Sequence, residues 1–300
     1  MKAVVYEKYG PPEVLQLRDI EKPVPKANEV LVKIYATTVT AGDWRMRKAD
    51  PFLARLFNGL FKPRKVKILG FELAGVIEEV GPAVTTFKKG DEVFAFCGFN
   101  FGAYAEYKCL PADNKVALKP QNVTFEEAAA VPVGGITALR LLKQAGVKAG
   151  DTVLIYGASG SVGTFAVQIA KAYGANVTAV CSTANVAMVQ SLGAVTVIDY
   201  TRDDFTKTET RFTIILDAVG KTSRSACKHL LQPGGKYVSV AGSPKSNPDD
   251  LLVLKELLEG GKLKAVIDRT YALDQIREAH AYVEGFHKKG NVVVTVVERT

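Results

Sequence analysis

A glycine-rich turn between an apolar strand and a helix constrains this chain more than any other feature. The turn spans Gly157 to Gly163, with the sequence Gly-Ala-Ser-Gly-Ser-Val-Gly, and directly follows the apolar run 153–156. Glycines at this spacing let the backbone turn tightly and approach a pyrophosphate, while N–H groups at the start of the following helix hold the anion. The pattern predicts a dinucleotide-binding unit, and the alternative is a purely structural glycine turn.

The rest of the chain shows two kinds of pattern. Residues 1 to about 120 contain short strands separated by Gly and Pro turns, which is typical of a barrel-like β domain. From Thr124 onward, β-branched apolar segments alternate with amphipathic helices, which indicates a parallel sheet. We therefore predict an α/β chain with a β-barrel domain and a doubly wound parallel sheet domain. The predicted parallel strands are 152–156, 176–182, 195–199, 212–219 and 236–241.

A helical region joins the two patterns. Thr124 and Glu127 form a capping box, with Thr124 at the N-cap and Glu127 at the third helical position. Helical periodicity continues towards Gln144, and we expect Pro132 and the pair Gly134-Gly135 to interrupt it.

Composition and charge argue against several classes of protein. The 300 residues are 47% hydrophobic and 23% charged, an ordinary globular composition. No apolar run reaches about 18 residues, and the N-terminus begins as a strand without signal-peptide character, so a cytoplasmic protein is expected. Four cysteines without Cys-x-x-Cys spacing indicate reduced thiols and no zinc cluster. The net charge of +8 is concentrated between Arg45 and Lys67, which argues against a nucleic-acid-binding track.

The strand after the glycine turn bears on the choice of dinucleotide. NAD sites usually place Asp or Glu about 20 residues beyond the turn, where the carboxylate binds the ribose 2′-hydroxyl. This chain has Ser182-Thr183 there, and hydroxyls tolerate the 2′-phosphate that a carboxylate repels. We therefore predict NADP(H), with Lys171 as a candidate cation for the phosphate. The alternative is that Ser182 and Thr183 only cap the helix before Asn185.

Six motifs are spread over nearly the whole chain. They are GPPEV at 10–14, GFELAGVI at 70–77, KGDEV at 89–93, GAYAEY at 102–107, the glycine-rich turn, and LDAVG at 216–220. With these motifs the chain resembles the medium-chain dehydrogenase/reductase superfamily, specifically its zinc-free quinone oxidoreductase branch. The resemblance implies a GroES-like β domain at 1–122 and 265–300, and a Rossmann domain at 123–264.

The chain departs from its zinc-dependent relatives at two ligand positions. Those relatives carry Cys where this chain has Thr40, and Gly-His-Glu where it has Gly70-Phe71-Glu72. Thr40 and Phe71 offer no thiolate, imidazole or carboxylate, so no metal is expected. Without a Lewis acid, an acceptor that is already electrophilic is favoured. We predict an NADPH-dependent, zinc-independent reductase of small hydrophobic quinones or α,β-unsaturated carbonyls. The alternatives are an NADPH-binding crystallin-like or adaptor protein without turnover, and a zinc-type alcohol dehydrogenase.

The resemblance also supplies candidate site residues. Thr40 and Asp43 are pocket candidates near the nicotinamide, although Asp43 is equally consistent with a cap on the turn before Trp44. No side chain is assignable as a general acid. The cofactor-binding candidates are Thr137, Ser159, Gly160, Ser161, Val162, Gly163, Ser182, Thr183, Tyr200, Val219, Ala241 and Asn291.

Two further segments leave alternatives open. Residues 51–67 are basic, and their apolar side chains fall on one stripe of a predicted helix with Asp50 as N-cap and Pro51 as its first residue. We expect a lid over the substrate pocket; the alternatives are an amphipathic helix on an anionic membrane and a surface helix packed on the β domain. The segment 242–248 is shorter than in relatives, so both a monomer and a homodimer stay open. The apolar stripe consists of Phe52, Leu53, Leu56, Phe57, Leu60 and Phe61.

Overall fold

The structure is a computed structural model that describes residues 1–113, 115–242, 247 and 249–297. The chain divides into two compact units. Unit 1 comprises Met1–Val133 with Ile267–Thr300, and unit 2 comprises Gly134–Val266. The expected domain bounds, 1–122 with 265–300 and 123–264, stay a prediction.

Fourteen strands and nine α-helices occur in the described part of the chain. The strands are β1 (Lys2–Val5), β2 (Gln16–Asp19), β3 (Glu29–Thr38), β4 (Glu72–Val80), β5 (Glu92–Phe96), β6 (Tyr107–Pro111), β7 (Val116–Leu118), β8 (Thr152–Tyr156), β9 (Asn176–Cys181), β10 (Thr196–Asp199), β11 (Phe212–Asp217), β12 (Leu231–Ser239), β13 (Ile267–Ala272) and β14 (Asn291–Thr295). The helices are α1 (Ala41–Lys48), α2 (Ala54–Asn58), α3 (Phe125–Ala129), α4 (Pro132–Ala145), α5 (Ser161–Ala172), α6 (Val186–Leu192), α7 (Arg224–Cys227), α8 (Asp250–Glu259) and α9 (Ile276–Glu284).

Unit 1 is built on a seven-stranded, largely antiparallel sheet. Its strands follow the order β13-β14-β3-β4-β5-β7, with β6 paired to β3, and only β13 and β14 run parallel. Val30, Val32 and Ile34 alternate along β3 and point into a core with Leu73 and Ile77 from β4. This alternation is the period of a half-buried strand, which explains why the sequence predicted a β-rich unit here.

Unit 2 contains a five-stranded sheet in which every strand pair is parallel. The order is β10-β9-β8-β11-β12, so the strand before the glycine-rich turn lies in the middle. Leu154, Val180 and Ile215 are fully buried in adjacent strands, as expected for a sheet covered on both faces. The predicted parallel sheet is confirmed, and the order places the carboxyl ends of its strands along one edge, where doubly wound sheets bind ligands.

The helical region between the two patterns is confirmed in part. Thr124 and Glu127 form the predicted capping box, with Glu127 N–H donating to Thr124 Oγ1 at 3.2 Å. A break separates α3 from α4, which begins at Pro132. The interruption expected at Gly134-Gly135 is wrong, because α4 runs through both residues. A Cβ at Gly134 would lie 2.4 Å from Ser161 Oγ, so this glycine allows α4 to pack closely on α5.

The predicted helical stripe over residues 50–61 is also wrong. The helix α2 begins at Ala54 and is five residues long, so Asp50-Pro51 does not start it. It ends at Asn58, and Gly59, which follows it, has a φ of +121° in a region that favours glycine. The side chain of Asn58 accepts the N–H of Val66 at 2.7 Å, which turns the chain back into a loop.

Two remaining expectations concern membrane-spanning helices and the short segment 242–248. Within the residues that the structure describes, no helix combines the length and the apolar character needed to cross a bilayer. The short 242–248 segment lies almost wholly outside the described residues, which include only Gly242 and Asn247 of it.

Candidate functional site

The glycine-rich turn connects the C-terminus of β8 to the N-terminus of α5, as predicted. Gly157 leaves the strand with a φ of +79°, and α5 begins at Ser161 with Gly160 as an extended N-cap residue. Glycine has no side chain to cap the helix, and the N-cap carbonyl accepts the N–H of Thr164 at 2.9 Å. A helix start without a capping side chain carries the positive end of the helix dipole and suits an anion.

The three glycines of the turn have different reasons to be glycine. A Cβ at Gly163 would lie 2.1 Å from the carbonyl oxygen of Gly157 and 2.7 Å from the Cα of Ala158. A Cβ at Gly157 would lie 2.1 Å from Cγ2 of Val219. A Cβ at Gly160 would approach no atom closer than 3.7 Å, so protein packing does not require glycine there. A ligand at this helix N-terminus would account for the glycine at position 160.

The candidate residues at the ends of the parallel strands share one edge of the sheet. Cys181, which precedes Ser182, pairs in register with Asp199, which precedes Tyr200. Asp217 at the end of β11 pairs with both Tyr156 and Ser239, the last residues of β8 and β12. This edge therefore holds the predicted cofactor contacts of unit 2 that follow strands: Ser159, Ser182, Thr183, Tyr200, Val219 and Ala241.

A carboxylate that the sequence analysis missed lies beside Thr183. The Thr183 hydroxyl donates to Asp199 Oδ2 and lies 2.8 Å from the hydroxyl of Thr201. Hydrogen bonds from Thr183 and Thr201 hold the pKa of Asp199 below its usual value. Ser182 occupies the N-cap position of the short 3-10 helix Thr183–Asn185, as the capping alternative expected, but its side chain makes no capping hydrogen bond. The signal for Asp199 was its place at the end of the neighbouring strand.

An exposed arginine supplies a cation beside Asp199. Nε of Arg202 lies 3.6 Å from Oδ2 of Asp199, and its side chain is 73% exposed. The suggested cation, Lys171, lies at the C-terminal end of α5, which is the opposite edge of the sheet from the strand ends. Its Nζ would be 3.1 Å from a Cβ at Gly193. The expectation that Lys171 serves the phosphate is therefore wrong, because an α helix in a βαβ unit ends away from the carboxyl edge.

Asp217 fixes the loop that follows β11. Its buried carboxylate accepts the N–H of Val219 at 2.9 Å and of Gly220 at 2.8 Å on one oxygen. The other oxygen accepts the N–H of Thr222 at 3.0 Å and the hydroxyl of Tyr237 at 3.1 Å. These bonds hold the loop 218–222 at the edge of the sheet. Val219 in this loop is 43% exposed.

Two further cofactor candidates do not follow strands of the parallel sheet. Thr137 is half-buried within α4 of unit 2, and Asn291 is buried at the start of β14 in unit 1. Eleven of the twelve candidates thus belong to unit 2 and Asn291 to unit 1. The roles of Thr137 and Asn291 stay predictions.

In unit 1, the pocket candidates Thr40 and Asp43 hold each other. Asp43 Oδ2 accepts the backbone N–H of Thr40 at 2.8 Å and its hydroxyl at 2.7 Å, while Oδ1 accepts the N–H of Gly70 at 2.8 Å. Asp43 is fully buried, and burial raises its pKa to about 6. Asp43 thus caps the start of α1 and ties it to the strand region before Glu72, as one of the two alternatives anticipated.

A buried tyrosine and histidine extend this polar group. The Tyr104 hydroxyl hydrogen-bonds to Asp43 and lies 3.2 Å from Nε2 of His280 on α9. Burial raises the pKa of Tyr104 and lowers the pKa of His280 well below its usual value. His280 is therefore a neutral histidine in the core of unit 1.

Phe71 and Glu72 occupy the strand start next to this group. The Phe71 ring packs on Phe101 with centroids 4.2 Å apart and on the exposed Phe99 at 6.5 Å. The Glu72 carboxyl accepts the N–H of Val133 at 2.6 Å and bonds the hydroxyl of Thr38. Burial raises the pKa of Glu72 to about 8, so this carboxyl is protonated at neutral pH.

The residues at the ligand positions do not fit a zinc ion. The hydroxyl of Thr40 donates to Asp43, and Phe71 presents only an aromatic ring. Across the described residues, no three His, Cys, Asp or Glu side chains form a group that could hold a metal. Zinc needs about four donors of these types, so we derive no chemistry through a metal here.

Comparisons with known proteins agree with this architecture. The family model of the alcohol dehydrogenase GroES-like domain matches residues 26–121, and the model described as zinc-binding dehydrogenase matches residues 161–280. A 2-methylene-furan-3-one reductase from Solanum lycopersicum is 34% identical over 98% of this chain and 79% of its own length. An NADPH-dependent alkenal/one oxidoreductase, chloroplastic, from Arabidopsis thaliana is 33% identical over the same shares. The solved quinone oxidoreductase from Coxiella burnetii superposes with a TM-score of 0.85 at 30% identity, over 99% of each chain.

Proposed function

The chain belongs to the medium-chain dehydrogenase/reductase superfamily, in its quinone oxidoreductase branch, and on that premise we propose that it reduces quinones or α,β-unsaturated carbonyls with NADPH. The observation that carries the proposal is the open glycine-rich turn of unit 2. Gly160 is glycine at a helix N-terminus where protein packing leaves room for a side chain, which is the arrangement that a bound pyrophosphate explains.

Unit 2 binds the cofactor along its carboxyl edge in this proposal. The turn from Ser159 to Gly163 holds the pyrophosphate, and Val219 and Ala241 line the side of the nicotinamide. Asp217 keeps the Val219 loop in place through its backbone hydrogen bonds. When bound, the cofactor supplies the hydride, so the chain's own contribution is to bind, orient and exclude water.

The proposed preference for NADPH rests on the surroundings of Thr183. Hydrogen bonds from the hydroxyls of Thr183 and Thr201 favour the ionised form of the Asp199 carboxylate, and the exposed Arg202 guanidinium beside it supplies the positive charge that a 2′-phosphate needs there. Arginine binds phosphate through charge-assisted hydrogen bonds, which a ribose 2′-hydroxyl cannot match.

The proposed acceptors follow from the donor set of unit 1. Because Thr40 and Phe71 cannot hold zinc, nothing here polarises a simple carbonyl or stabilises an alkoxide as a metal does. In a conjugated acceptor, the negative charge that follows hydride addition spreads over the conjugated system. Hydride adds to the electrophilic carbon, and water supplies the proton that completes the reduction, since no side chain is assigned as a general acid.

We further propose that the aromatic rings of unit 1 contact the acceptor. Phe71 lies directly after Gly70, whose N–H is held by Asp43, and its ring adjoins the 71% exposed ring of Phe99. Flat apolar rings favour flat conjugated acceptors over aliphatic alcohols. Asp43 fixes the hydroxyl of Thr40, so both pocket candidates keep a positioning role. A cytoplasmic location and a monomeric or homodimeric state stay predictions.

Measuring NADPH oxidation with a panel of acceptors tests the proposal. The panel contains small quinones, enals and enones, with saturated aldehydes and alcohols as matched controls, in the presence and absence of a zinc chelator. We expect turnover with the conjugated acceptors only, unchanged by the chelator. Tight NADPH binding without turnover on any acceptor would instead support the alternative of a binding protein, and loss of activity with the chelator would support a zinc enzyme.

A further inference from the structure

The surface formed by residues 52–61 exposes more apolar side chain than its length explains. Five large apolar residues in this ten-residue segment are 46 to 86% exposed. We call them, together with the exposed cations given below, the apolar-basic patch. Isolated exposed apolar residues are ordinary, whereas a contiguous group marks a surface that another phase or molecule covers. The five residues are Phe52, Leu53, Leu56, Leu60 and Phe61.

The backbone of this segment is anchored, so its apolar side chains are presented outward by a fixed loop. Asn58 is buried and donates to the hydroxyl of Tyr6 at 2.8 Å. The hydroxyl of Tyr9 donates to the carbonyl of Gly59 at 2.8 Å. Phe57 turns inward and packs against the core of unit 1. The inward side of the segment is therefore held by hydrogen bonds and packing, whereas the apolar side chains on its outward side are exposed to solvent.

Cations flank the apolar side chains on both sides. Between Arg45 and Lys67 the sequence contains eight basic residues and one acid, Asp50. Of the eight, Arg47 is buried in unit 1, Lys48 pairs with Glu284, and the half-buried Arg55 lies over the rings of Tyr9 and Phe52. The remaining exposed cations of the patch are Arg45, Lys62, Arg64, Lys65 and Lys67.

We propose that the apolar-basic patch docks the protein on an anionic phospholipid membrane. Apolar side chains that enter the acyl boundary and cations that meet lipid phosphates form the two halves of an interfacial binding surface. A second copy of the chain fits less well, because a symmetric dimer would bring the same ring of cations against itself. A substrate lid would use the apolar side chains but leave the clustered cations without a counterpart.

The proposal goes beyond the proposed reductase activity and is independent of it. Membrane docking requires no cofactor and no turnover, so it can fail or succeed whatever the enzyme reduces. Where both hold, the protein would act beside a phase in which hydrophobic quinones concentrate.

The test is cosedimentation with vesicles of phosphatidylcholine, with and without phosphatidylserine, at low and high salt. We expect the wild-type protein to sediment with the anionic vesicles at low salt and to be released by salt. Lys62→Glu with Arg64→Glu should weaken binding at least about 25-fold, since each cation near an anionic surface contributes about fivefold. Leu56→Ser with Phe61→Ser should also weaken it, and this loss should persist at every salt concentration.

Matched controls separate the patch from general charge and apolarity. Lys88→Glu with Lys89→Glu changes exposed cations elsewhere, and Val24→Ser with Val195→Ser changes exposed apolar residues elsewhere. Both controls should sediment like the wild type. Equal thermal stability of all variants shows that each remains folded, which is expected because the changed side chains are exposed.

Four results would overturn the proposal, and the last is a KM for a water-soluble acceptor that the patch variants raise. The first is a wild-type protein that does not sediment with anionic vesicles at low salt. The second is light scattering that shows a dimer which Leu56→Ser with Phe61→Ser converts to a monomer, because the patch would then bind a second copy. The third is a control pair that weakens sedimentation as much as the patch variants. Unchanged NADPH oxidation with a water-soluble acceptor in the patch variants supports the proposal, and a raised KM there would indicate a lid.

Discussion

No side chain fits at position 163, because its Cβ would lie 2.1 Å from the carbonyl oxygen of Gly157. Gly160, three residues earlier in the same turn, faces open space instead. Two different physical demands therefore explain glycine at these positions: the packing of the turn at Gly163, and a ligand that the turn receives at Gly160.

The two glycines should respond differently to substitution. Gly163→Ala should destabilise unit 2 by about 1–3 kcal/mol, as overpacking of a tight contact does. Gly160→Val should keep the thermal stability of the wild type and raise the Kd for NADPH at least about tenfold, because the side chain would occupy the place of the pyrophosphate. Calorimetry of both variants with and without NADPH measures the two effects. Equal NADPH affinity in Gly160→Val would show that the pyrophosphate does not bind there.

Arg202 should determine the preference for NADPH over NADH. Arg202→Ala removes the exposed guanidinium beside Asp199 and should weaken NADPH binding about tenfold, with little change for NADH. Lys171→Ala is the matched control, because Lys171 lies at the opposite edge of the sheet. Titration of the intrinsic fluorescence of the wild type and both variants with each cofactor gives the six affinities. Similar losses for both cofactors in Arg202→Ala would contradict a phosphate contact.

The Glu72 carboxyl should make stability fall as the pH rises. Its pKa is raised by burial from 4.5 to about 8, so the folded state keeps a proton that the unfolded state loses. Stability therefore decreases between these values, with a total effect on the order of several kcal/mol. Glu72→Gln cannot titrate and should flatten the curve of Tm against pH. Because the pKa of Asp43 is about 6 and that of Lys288 about 8, the effect of Glu72 is taken from the difference between the wild-type and variant curves. Parallel curves for the two proteins would rule out this assignment.

Removal of the Asp43 carboxylate should be costly for unit 1. Asp43→Ala leaves the N–H and hydroxyl of Thr40 and the N–H of Gly70 without their acceptor in a buried place. We expect a loss of at least about 3 kcal/mol in the free energy of unfolding, measured by urea denaturation. Asp43→Asn keeps an acceptor oxygen and should lose less. If the two variants unfold alike, the hydrogen bonds do not account for the role of this side chain.

The parallel sheet and its helices could be predicted from the sequence because their local patterns repeat along the chain. The central sheet followed from the alternation of buried β-branched strands with helices, and α5 followed from the glycine-rich turn before it. The helix over 50–61 was mispredicted because its apolar spacing satisfied a helical period, while the inward side chain of Asn58 bonds Val66 and ends the helix early. Such a tertiary contact leaves no periodic signal.

In the candidate site, too, contacts between residues distant in sequence could not be predicted. Ser182 and Thr183 could be proposed from the sequence because they follow the strand after the glycine turn, whereas Asp199 belongs to the next strand and meets Thr183 only through the parallel register. Lys171 was misplaced because sequence distance does not reveal at which edge of the sheet a helix ends. Asp217 was recognised as part of a motif, but its five hydrogen-bonded partners appear only once the loop is folded.

The central claim is that this chain transfers a hydride from NADPH to a conjugated acceptor. The most direct measurement uses NADPH with deuterium at both C4 positions and an enone acceptor, followed by mass spectrometry and NMR of the product. We expect a saturated ketone that carries one deuterium at the former β-carbon, with and without a zinc chelator. NADPH that binds but yields no reduced acceptor, or a reduced acceptor without deuterium, would contradict it.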